Sequence, residues 1–235
     1  AEVKPEVVEK RLEIEYHKLA ADYESDTWRF YDPKTESILN KIAESGETLD
    51  DHTRKIFQGI ATGADKVFLL EKVEESEDYV VGRDRKEGEE WKLEKELVKP
   101  ALTGDEVHRY QPLEAEYVMI VPYTFGEEIE FVEEKTLKND YPNTHDYLKQ
   151  NEDDLRSREG GKMDNERWYD LSRPQNLQEF AKDKIVTPEI SNGSNFTTDT
   201  EGFFHNTVVY SILLEEDVSF SSDYLISILN NPLLW

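Results

Sequence analysis

The chain has 235 residues and a formal net charge of −25, from 53 acidic and 28 basic residues. It has no cysteine, which excludes disulfides, thiolate metal sites and a cysteine nucleophile, and its five histidines never take the spacing of a zinc site. Because it has no bilayer-length apolar run and no signal-peptide pattern, we expect a soluble, cytoplasmic protein.

The acidic residues are unevenly distributed along the chain. Residues 114–134 carry seven Glu and no basic residue, which is typical of a solubilising surface in a salty cytoplasm. Residues 156–184 are nearly neutral, with seven basic and six acidic residues. This segment is therefore the first candidate for contact with a negatively charged partner.

Hydrophobic periodicity predicts a mixture of helices and strands. Helices are predicted over residues 5–22, over 37–45 with a stop at Gly46, from Pro142 to about Arg158, and from near Ser221 onward. Strands are predicted over 55–61, 65–72, 78–82, 116–123, 127–132, 184–190 and 205–214. The last helix runs into an apolar Leu233-Leu234-Trp235 ending, from which we expect a fragment of a longer protein.

The search for catalytic motifs gives one weak match. Glu90-Trp91-Lys92, with Asp78 or Asp84 as the preceding acid, fits half of a metal-dependent nuclease motif. In a chain so rich in Glu and Lys, a solvated charged face is the simpler interpretation. The sequence contains no glycine-rich dinucleotide loop, Walker loop or nucleophile elbow.

A series of short motifs follows one order along the chain. They are Gly59-Ile-Ala-Thr62-Gly63 with Val67-Phe68, Leu97-Val-Lys99-Pro100 with Gly104-Asp105 and Arg109-Tyr110, Tyr117 to Tyr123, Tyr141-Pro142 with Tyr147-Leu148, Leu155 with Arg158, Trp168-Tyr169 with Arg173-Pro174, Lys184 with Pro188 and Ile190-Ser191, and Ser227 with Leu229-Asn230. In this order they resemble the TaqI-like C-terminal specificity domain of adenine-specific DNA methyltransferases, including fused type IIG restriction-modification enzymes. One departure is Asn231, where family members often have serine.

The resemblance implies an α+β fold with curved, mostly antiparallel sheets and peripheral helices. It further implies that residues 1–50 form a helical connector from a missing methyltransferase domain, and that residues 51–235 form a DNA target recognition domain truncated at its C-terminus. The expected partners are double-stranded DNA and the methyltransferase domain of the same polypeptide, with no membrane. The sequence lacks the Asn-Pro-Pro-Tyr motif and the S-adenosylmethionine loop, so this fragment is expected to be non-catalytic and to hold no cofactor or metal, with S-adenosylmethionine bound by the missing domain.

Candidate DNA-binding residues follow from the small-residue loop, the basic residues and the motif positions. They are Thr62, Gly63, Lys66, Arg83, Arg85, Lys99, Arg109, Arg156, Arg158, Lys162, Arg167 and Arg173. The small residues of the loop allow close backbone approach to a phosphate or base edge. Ordinary alternatives remain: a glycine turn, a hairpin tip, and surface cations paired with Glu. Tyr147, Trp168 and Tyr169 are interpreted as core aromatic residues rather than stacking platforms, and a core position is the open alternative for Tyr110.

Two other functions stay open at this point. A stand-alone acidic interaction module would have no affinity for DNA, even at low salt. A metal-dependent nuclease fragment would cleave DNA by itself in the presence of a divalent ion.

Overall fold

The computed structural model describes residues 33–232, and the chain divides between Asp51 and His52 into two compact units. In the first unit, α1 (Pro33–Ser45) begins earlier than the helix predicted from residue 37. Its Ile38 and Ile42 side chains are exposed. The helix predicted over 5–22 lies outside the described residues.

The second unit contains a six-stranded sheet. From one edge to the other its strands are β11 (Phe204–His205), β5 (Val98–Leu102), β6 (Tyr117–Ile120), β2 (Leu69–Glu75), β3 (Tyr79–Arg83) and β4 (Glu90–Glu94). Neighbouring strands run antiparallel except β11 and β5, which run parallel. The central strands are buried on both faces, because the consecutive residues Met119 and Ile120 point to opposite faces and are both buried.

A four-stranded antiparallel sheet joins segments that are distant in the sequence. Its order is β1 (Thr53–Gln58), β12 (Val209–Leu214), β9 (Lys184–Pro188) and β10 (Thr197–Asp199). A separate hairpin is formed by β7 (Tyr123–Phe125) and β8 (Ile129–Phe131). The mixed composition and the mostly antiparallel pairing confirm the predicted α+β class.

Five further helices decorate the second unit. They are α2 (Asp65–Phe68), α3 (Glu134–Asp140), α4 (Pro142–Gln150), α5 (Glu152–Gly161) and α6 (Ser222–Leu229). Pro142 occupies the first turn of α4, as predicted. The single helix predicted to run to Arg158 is instead interrupted at Asn151, whose side-chain amide donates a hydrogen bond to the Tyr147 carbonyl. α6 begins as predicted, because the Ser221 hydroxyl accepts the Tyr224 N–H.

Large aromatic side chains fill the core of the second unit. Trp168, Tyr169 and Tyr147 are almost fully buried, which confirms their interpretation as core residues. The Tyr147 hydroxyl donates to the Val67 carbonyl and the Tyr169 hydroxyl to the Val132 carbonyl, each at 2.7 Å. Tyr110, for which a core position was the open alternative, is instead 61% exposed.

Two strand predictions also need correction. Residues 65–68 of the strand predicted over 65–72 form the helical turn α2, because the Thr62 hydroxyl bonds Asp65 and the Ala64 N–H and bends the chain there. The strand predicted over 205–214 is divided into β11 and β12 by a turn at 206–208, and β4, β5 and β10 were not predicted. Within residues 33–232, no helix is both long and apolar enough to cross a membrane.

Candidate DNA interface

Four connecting segments lie against one another where β1, β5, β9 and β11 end. We call them the loop edge; it consists of residues 59–66, 103–111, 189–196 and 206–208. The Gly59 N–H donates to the Val209 carbonyl at 3.1 Å, and the Ile60 N–H donates to the His205 carbonyl at 2.9 Å. A side-chain carbon at position 59 would lie 2.2 Å from the Asn206 carbonyl oxygen, so only glycine allows this approach.

Side-chain and backbone hydrogen bonds connect the remaining segments. The Glu189 N–H donates to the Val208 carbonyl at 2.7 Å, and the Asn206 amide donates to Asp65 Oδ2 at 2.7 Å. The Arg109 N–H donates to Asn195 Oδ1 at 3.4 Å. The loop edge is therefore a continuous surface assembled from four distant parts of the sequence.

The turn at Gly63 has an exposed and a buried part. Gly63 is exposed and adopts a left-handed φ of 72°, a conformation that favours glycine. Thr62 is fully buried, and its hydroxyl both donates to Asp65 and accepts the Ala64 N–H. The predicted contact between the Thr62 hydroxyl and DNA does not agree with this position. The exposed backbone at Gly63 remains accessible to a ligand.

Arg158 is a buried connecting residue rather than a surface cation. Its guanidinium donates to the carbonyls of Leu155 at 2.8 Å, Trp168 at 2.7 Å, Asp170 at 2.8 Å and Thr62. Its relative exposure is 6%, and burial lowers its pKa to about 10, so it still carries its charge at neutral pH. The prediction that Arg158 reaches DNA is therefore wrong. Its function is to hold the turn at Thr62 against α5 and the segment around residue 170.

The segments held by Arg158 extend the loop edge on one side. Arg173 donates its backbone N–H to the Ala61 carbonyl at 3.0 Å, next to the Gly63 turn. After Arg158 the chain turns through left-handed conformations at Glu159, Gly160 and Gly161 and then reaches exposed Lys162.

Besides Arg85, four of the predicted cations are exposed and have no carboxylate partner within residues 33–232. They are Lys66, Arg109, Lys162 and Arg173. Lys66 and Arg109 lie on the loop edge, and Lys162 and Arg173 lie on the segments joined to it through Arg158. These cations are therefore available to an external anion, as are exposed Arg85, Lys135 and Lys138.

Three other predicted cations are engaged with carboxylates. Arg83 bonds Glu90 at 2.8 Å, Arg156 bonds Glu152 at 2.8 Å and Asp164 at 2.9 Å, and Arg167 bonds Asp170 at 2.9 Å. Hydrogen bonds from Lys149 and Arg156 lower the pKa of Glu152, which keeps that carboxylate charged. The alternative of surface cations paired with acids therefore describes Arg83, Arg156 and Arg167 better than DNA contact does.

The last two candidates lie over aromatic rings. The Arg85 guanidinium is 5.4 Å from the centroid of Tyr117, and Lys99 Nζ is 4.6 Å from that of Phe125. Lys99 also donates to the Glu96 carbonyl, and its burial lowers its pKa. Arg85 is exposed and remains a candidate.

The nuclease half-motif has a structural explanation. Glu90-Trp91-Lys92 lies on β4, with Trp91 half-buried against Tyr147. Both carboxylate oxygens of Asp84 accept backbone N–H groups, from residues 86–89 of the following turn. No group of three or more His, Cys, Asp or Glu side chains suited to a metal ion occurs within the described residues. Asp84 is therefore a turn residue whose oxygens are already occupied.

The comparison with protein families matches residues 99–234 to the TaqI-like C-terminal specificity domain, which is more than half of the chain. The chain belongs to this family. The matched region contains β5 to α6 and includes Arg109, Lys162 and Arg173.

Two curated proteins are similar to this specificity domain. The Type II restriction enzyme and methyltransferase RM.Eco57I of Escherichia coli is 28% identical over 228 residues, which cover 90% of this chain and 22% of that protein. The Type II methyltransferase M.BanIII of Aneurinibacillus aneurinilyticus is 28% identical over 159 residues, which cover 68% of this chain and 25% of that protein. The chain thus spans a quarter or less of the length of these relatives.

The buried role of Arg158 had only a faint signal in the sequence. The two glycines that follow it, at positions 160 and 161, indicate an abrupt end to the helix, and Leu155 one turn earlier indicates its buried face. The carbonyls of Thr62 and Trp168 that receive its hydrogen bonds are brought there only by tertiary packing.

Proposed function

We propose that this specificity domain recognises the double-stranded DNA target of an adenine-N6 methyltransferase in a restriction-modification system. The observation that carries the proposal is the set of exposed, unpaired cations on and beside the loop edge: Lys66, Arg109, Lys162 and Arg173. Membership of the specificity family and the two methyltransferase relatives support the same function.

The physical reason is that the protein as a whole is strongly acidic, whereas the region on and beside the loop edge has exposed cations without a carboxylate partner. A net charge of −25 repels DNA at long range, so binding depends on a local surface where cations are not neutralised by carboxylates. Arg83, Arg156 and Arg167 form ion pairs with neighbouring carboxylates and are therefore less available to DNA. The loop edge, which also carries Asp65, Asp105, Glu106 and Glu189, offers two such cations, Lys66 and Arg109.

Within the proposed parent protein, residues 1–50 connect to a methyltransferase domain and residues 51–235 supply recognition. That domain would bind S-adenosylmethionine and act on an adenine turned out of the helix. The fragment itself would be non-catalytic and would act in the cytoplasm. A fused endonuclease, as in type IIG enzymes, completes the proposal.

Methylation of a randomised site library by the polypeptide of the complete gene tests the recognition role. Arg109→Ala or Arg173→Ala should relax the preference at one base position, because a guanidinium makes two fixed hydrogen bonds to a guanine edge worth about 1–3 kcal/mol. Lys66→Ala should lower methylation of all sites alike, because an ammonium near a phosphate senses charge and not sequence.

Lys135→Ala, on α3 and outside the loop edge, is the matched control. Unchanged preference and unchanged rate in the Arg109, Arg173 and Lys66 variants would contradict the assignment. Absence of DNA affinity in the wild type at low salt would instead favour an acidic interaction module, and divalent-ion-dependent cleavage by the fragment would favour a nuclease.

A further inference from the structure

The two most exposed large apolar side chains within the described residues both lie on the loop edge. Ile190 is 88% exposed and Tyr110 is 61% exposed. Single exposed apolar residues are common on protein surfaces. Here both occur on segments that contact each other, in a chain whose exposed surface is otherwise dominated by charge.

Asn195 connects the two segments. Its Oδ1 accepts the Arg109 N–H at 3.4 Å, and its Nδ2 donates to Ser191 Oγ at 2.7 Å. The Ser191 hydroxyl in turn donates to the Gly193 carbonyl at 2.7 Å. Arg109 and Ser191, the chain neighbours of Tyr110 and Ile190, therefore both bond to Asn195. These bonds hold the two segments together in the absence of a ligand.

The backbone at Tyr110 is held in an uncommon conformation. Its φ is +60°, a left-handed value that costs free energy for a bulky aromatic residue, in a turn where the Gln111 N–H donates to the His108 carbonyl at 3.3 Å. Strain of this kind persists where the surrounding structure imposes it, and it occurs often at binding sites. Here it accompanies a ring that faces solvent beside the exposed side chain of Arg109.

We propose that Tyr110 and Ile190 form an apolar wedge that contacts the faces of bases at an opened base step of the target DNA. This inference rests on the proposed DNA-recognition function. Apolar wedges unstack base steps in many DNA complexes, and an aromatic ring stacks on any base. Arg109, next to Tyr110 in the chain, supplies a positive charge for the adjacent phosphates, which favours DNA over an apolar protein surface as the partner.

The first test compares affinities of the complete polypeptide for a duplex that contains its own site, identified beforehand from the positions that it methylates. Tyr110→Ala should weaken binding about 5- to 100-fold, the loss expected for one base–aromatic stack. Tyr110→Phe should bind like the wild type because the ring is retained, and Ile190→Ala should weaken binding less than Tyr110→Ala. Tyr224→Ala is the matched control, because Tyr224 is 57% exposed but lies on α6.

The second test detects the ring contact directly. 5-Iodo-deoxyuridine replaces each thymine of the site and its flanks in turn, the complex is irradiated, and cross-linked peptides are mapped. The iodine lies at C5 on the major-groove edge, so a cross-link to Tyr110 at one or two adjacent positions would place its ring at that step, as the wedge requires.

Three results are distinguishable. If the wild type selects no DNA site, the proposed function fails together with the wedge. If the wild type selects a site while Tyr110→Ala binds it equally well, or while cross-links form elsewhere and never at Tyr110, the wedge alone is overturned. If Tyr110→Ala leaves DNA affinity intact but reduces methylation of the bound site, the ring contacts protein and not DNA, which also overturns the wedge.

Discussion

Arg158 shows how one buried cation can organise a surface that it does not reach. Its guanidinium contacts neutral carbonyls, with the ring of Phe68 5.2 Å away, and no carboxylate hydrogen-bonds to it. Burial of a charge without a direct counter-ion is costly unless every donor is satisfied. The planar fork of arginine satisfies this requirement, whereas a lysine ammonium does not.

Arg158→Lys should lower the free energy of unfolding by about 2–4 kcal/mol, because at least two of the receiving carbonyls lose their partner. The measurement is urea unfolding of the 235-residue chain. Arg173→Lys, at an exposed position, serves as the control and should change stability by less than about 0.5 kcal/mol. Equal stability of the two variants would show that Arg158 does not fix the Gly63 turn.

His205 is the second buried residue with a defined electrostatic consequence. Its relative exposure is 0%, its Nε2 lies 2.6 Å from the Ser211 hydroxyl, and it stacks on Phe57. Burial lowers its pKa to about 3, so the imidazole stays neutral in the folded protein.

The low pKa of His205 predicts a loss of stability in mild acid. Between pH 6.5, the usual pKa of an unfolded histidine, and pH 3, only the unfolded state binds the proton, so stability falls as the pH falls. The expected loss is about 1.4 kcal/mol per pH unit below 6.5. Urea unfolding at pH 7.5, 6 and 5 measures it, and His205→Gln is the reference. If the free energies of unfolding of wild type and variant changed with pH in the same way, His205 would not be neutral in the folded protein.

Strands with a clear apolar pattern were predictable from the sequence. Strands that mix apolar with charged residues, or that contain proline, were not. Residues 116–123 predicted a strand because Val118, Met119 and Ile120 are consecutive apolar residues, and β6 lies there. β4 was missed because only Trp91 and Leu93 interrupt a run of charged residues. β5 was missed because it contains Pro100, which cannot donate a ladder hydrogen bond and is rare inside sheets.

For the candidate DNA-binding residues, the residue types can be read from the sequence, but which of them are exposed and unpaired cannot. The sequence shows which residues are cationic, and it cannot show which acids will fold beside them. Arg83 meets Glu71 and Glu90 only because β2, β3 and β4 pair in one register. Arg109 has no such carboxylate partner within the described residues; its segment lies against Asn195, whose Oδ1 accepts the Arg109 backbone N–H.

The loop edge, as an element, predicts the salt dependence of DNA binding. Each cation that contacts a phosphate contributes roughly 0.9 to the slope of log affinity against log salt, so the four exposed cations allow a slope no steeper than about −4. A Lys66→Ala/Lys162→Ala double variant of the complete polypeptide should give a shallower slope. The Lys135→Ala/Lys138→Ala variant on α3 should leave the slope unchanged. A wild-type slope near −10 would require phosphate contacts from cations other than these four.

For the whole molecule, the net charge of −25 acts on stability as well as on binding. Repulsion among exposed carboxylates destabilises the compact state, and salt screens that repulsion. Salt should therefore weaken DNA binding while it stabilises the fold.

Thermal unfolding of the chain at pH 7 should show a higher midpoint at 0.2 M than at about 0.02 M sodium chloride, since the Debye length shrinks from about 20 Å to about 7 Å. Near pH 4.5, the isoelectric point, the same salt step should have little effect. A midpoint that falls with salt at pH 7 would mean that ion pairs such as Arg54–Glu179 outweigh the net repulsion.

Because β1 pairs with β12, which lies far along the chain, β1 stays without its partner during much of synthesis on the ribosome. Thr53 pairs with Leu214 and Gln58 with Tyr210, so β1 emerges long before its hydrogen-bonding partner exists. At 5–20 residues per second, the roughly 150 intervening residues take about 10–30 s to translate. Throughout that interval β12 does not yet exist, so Ile56 and Phe57 of the nascent chain stay unpaired in a sheet.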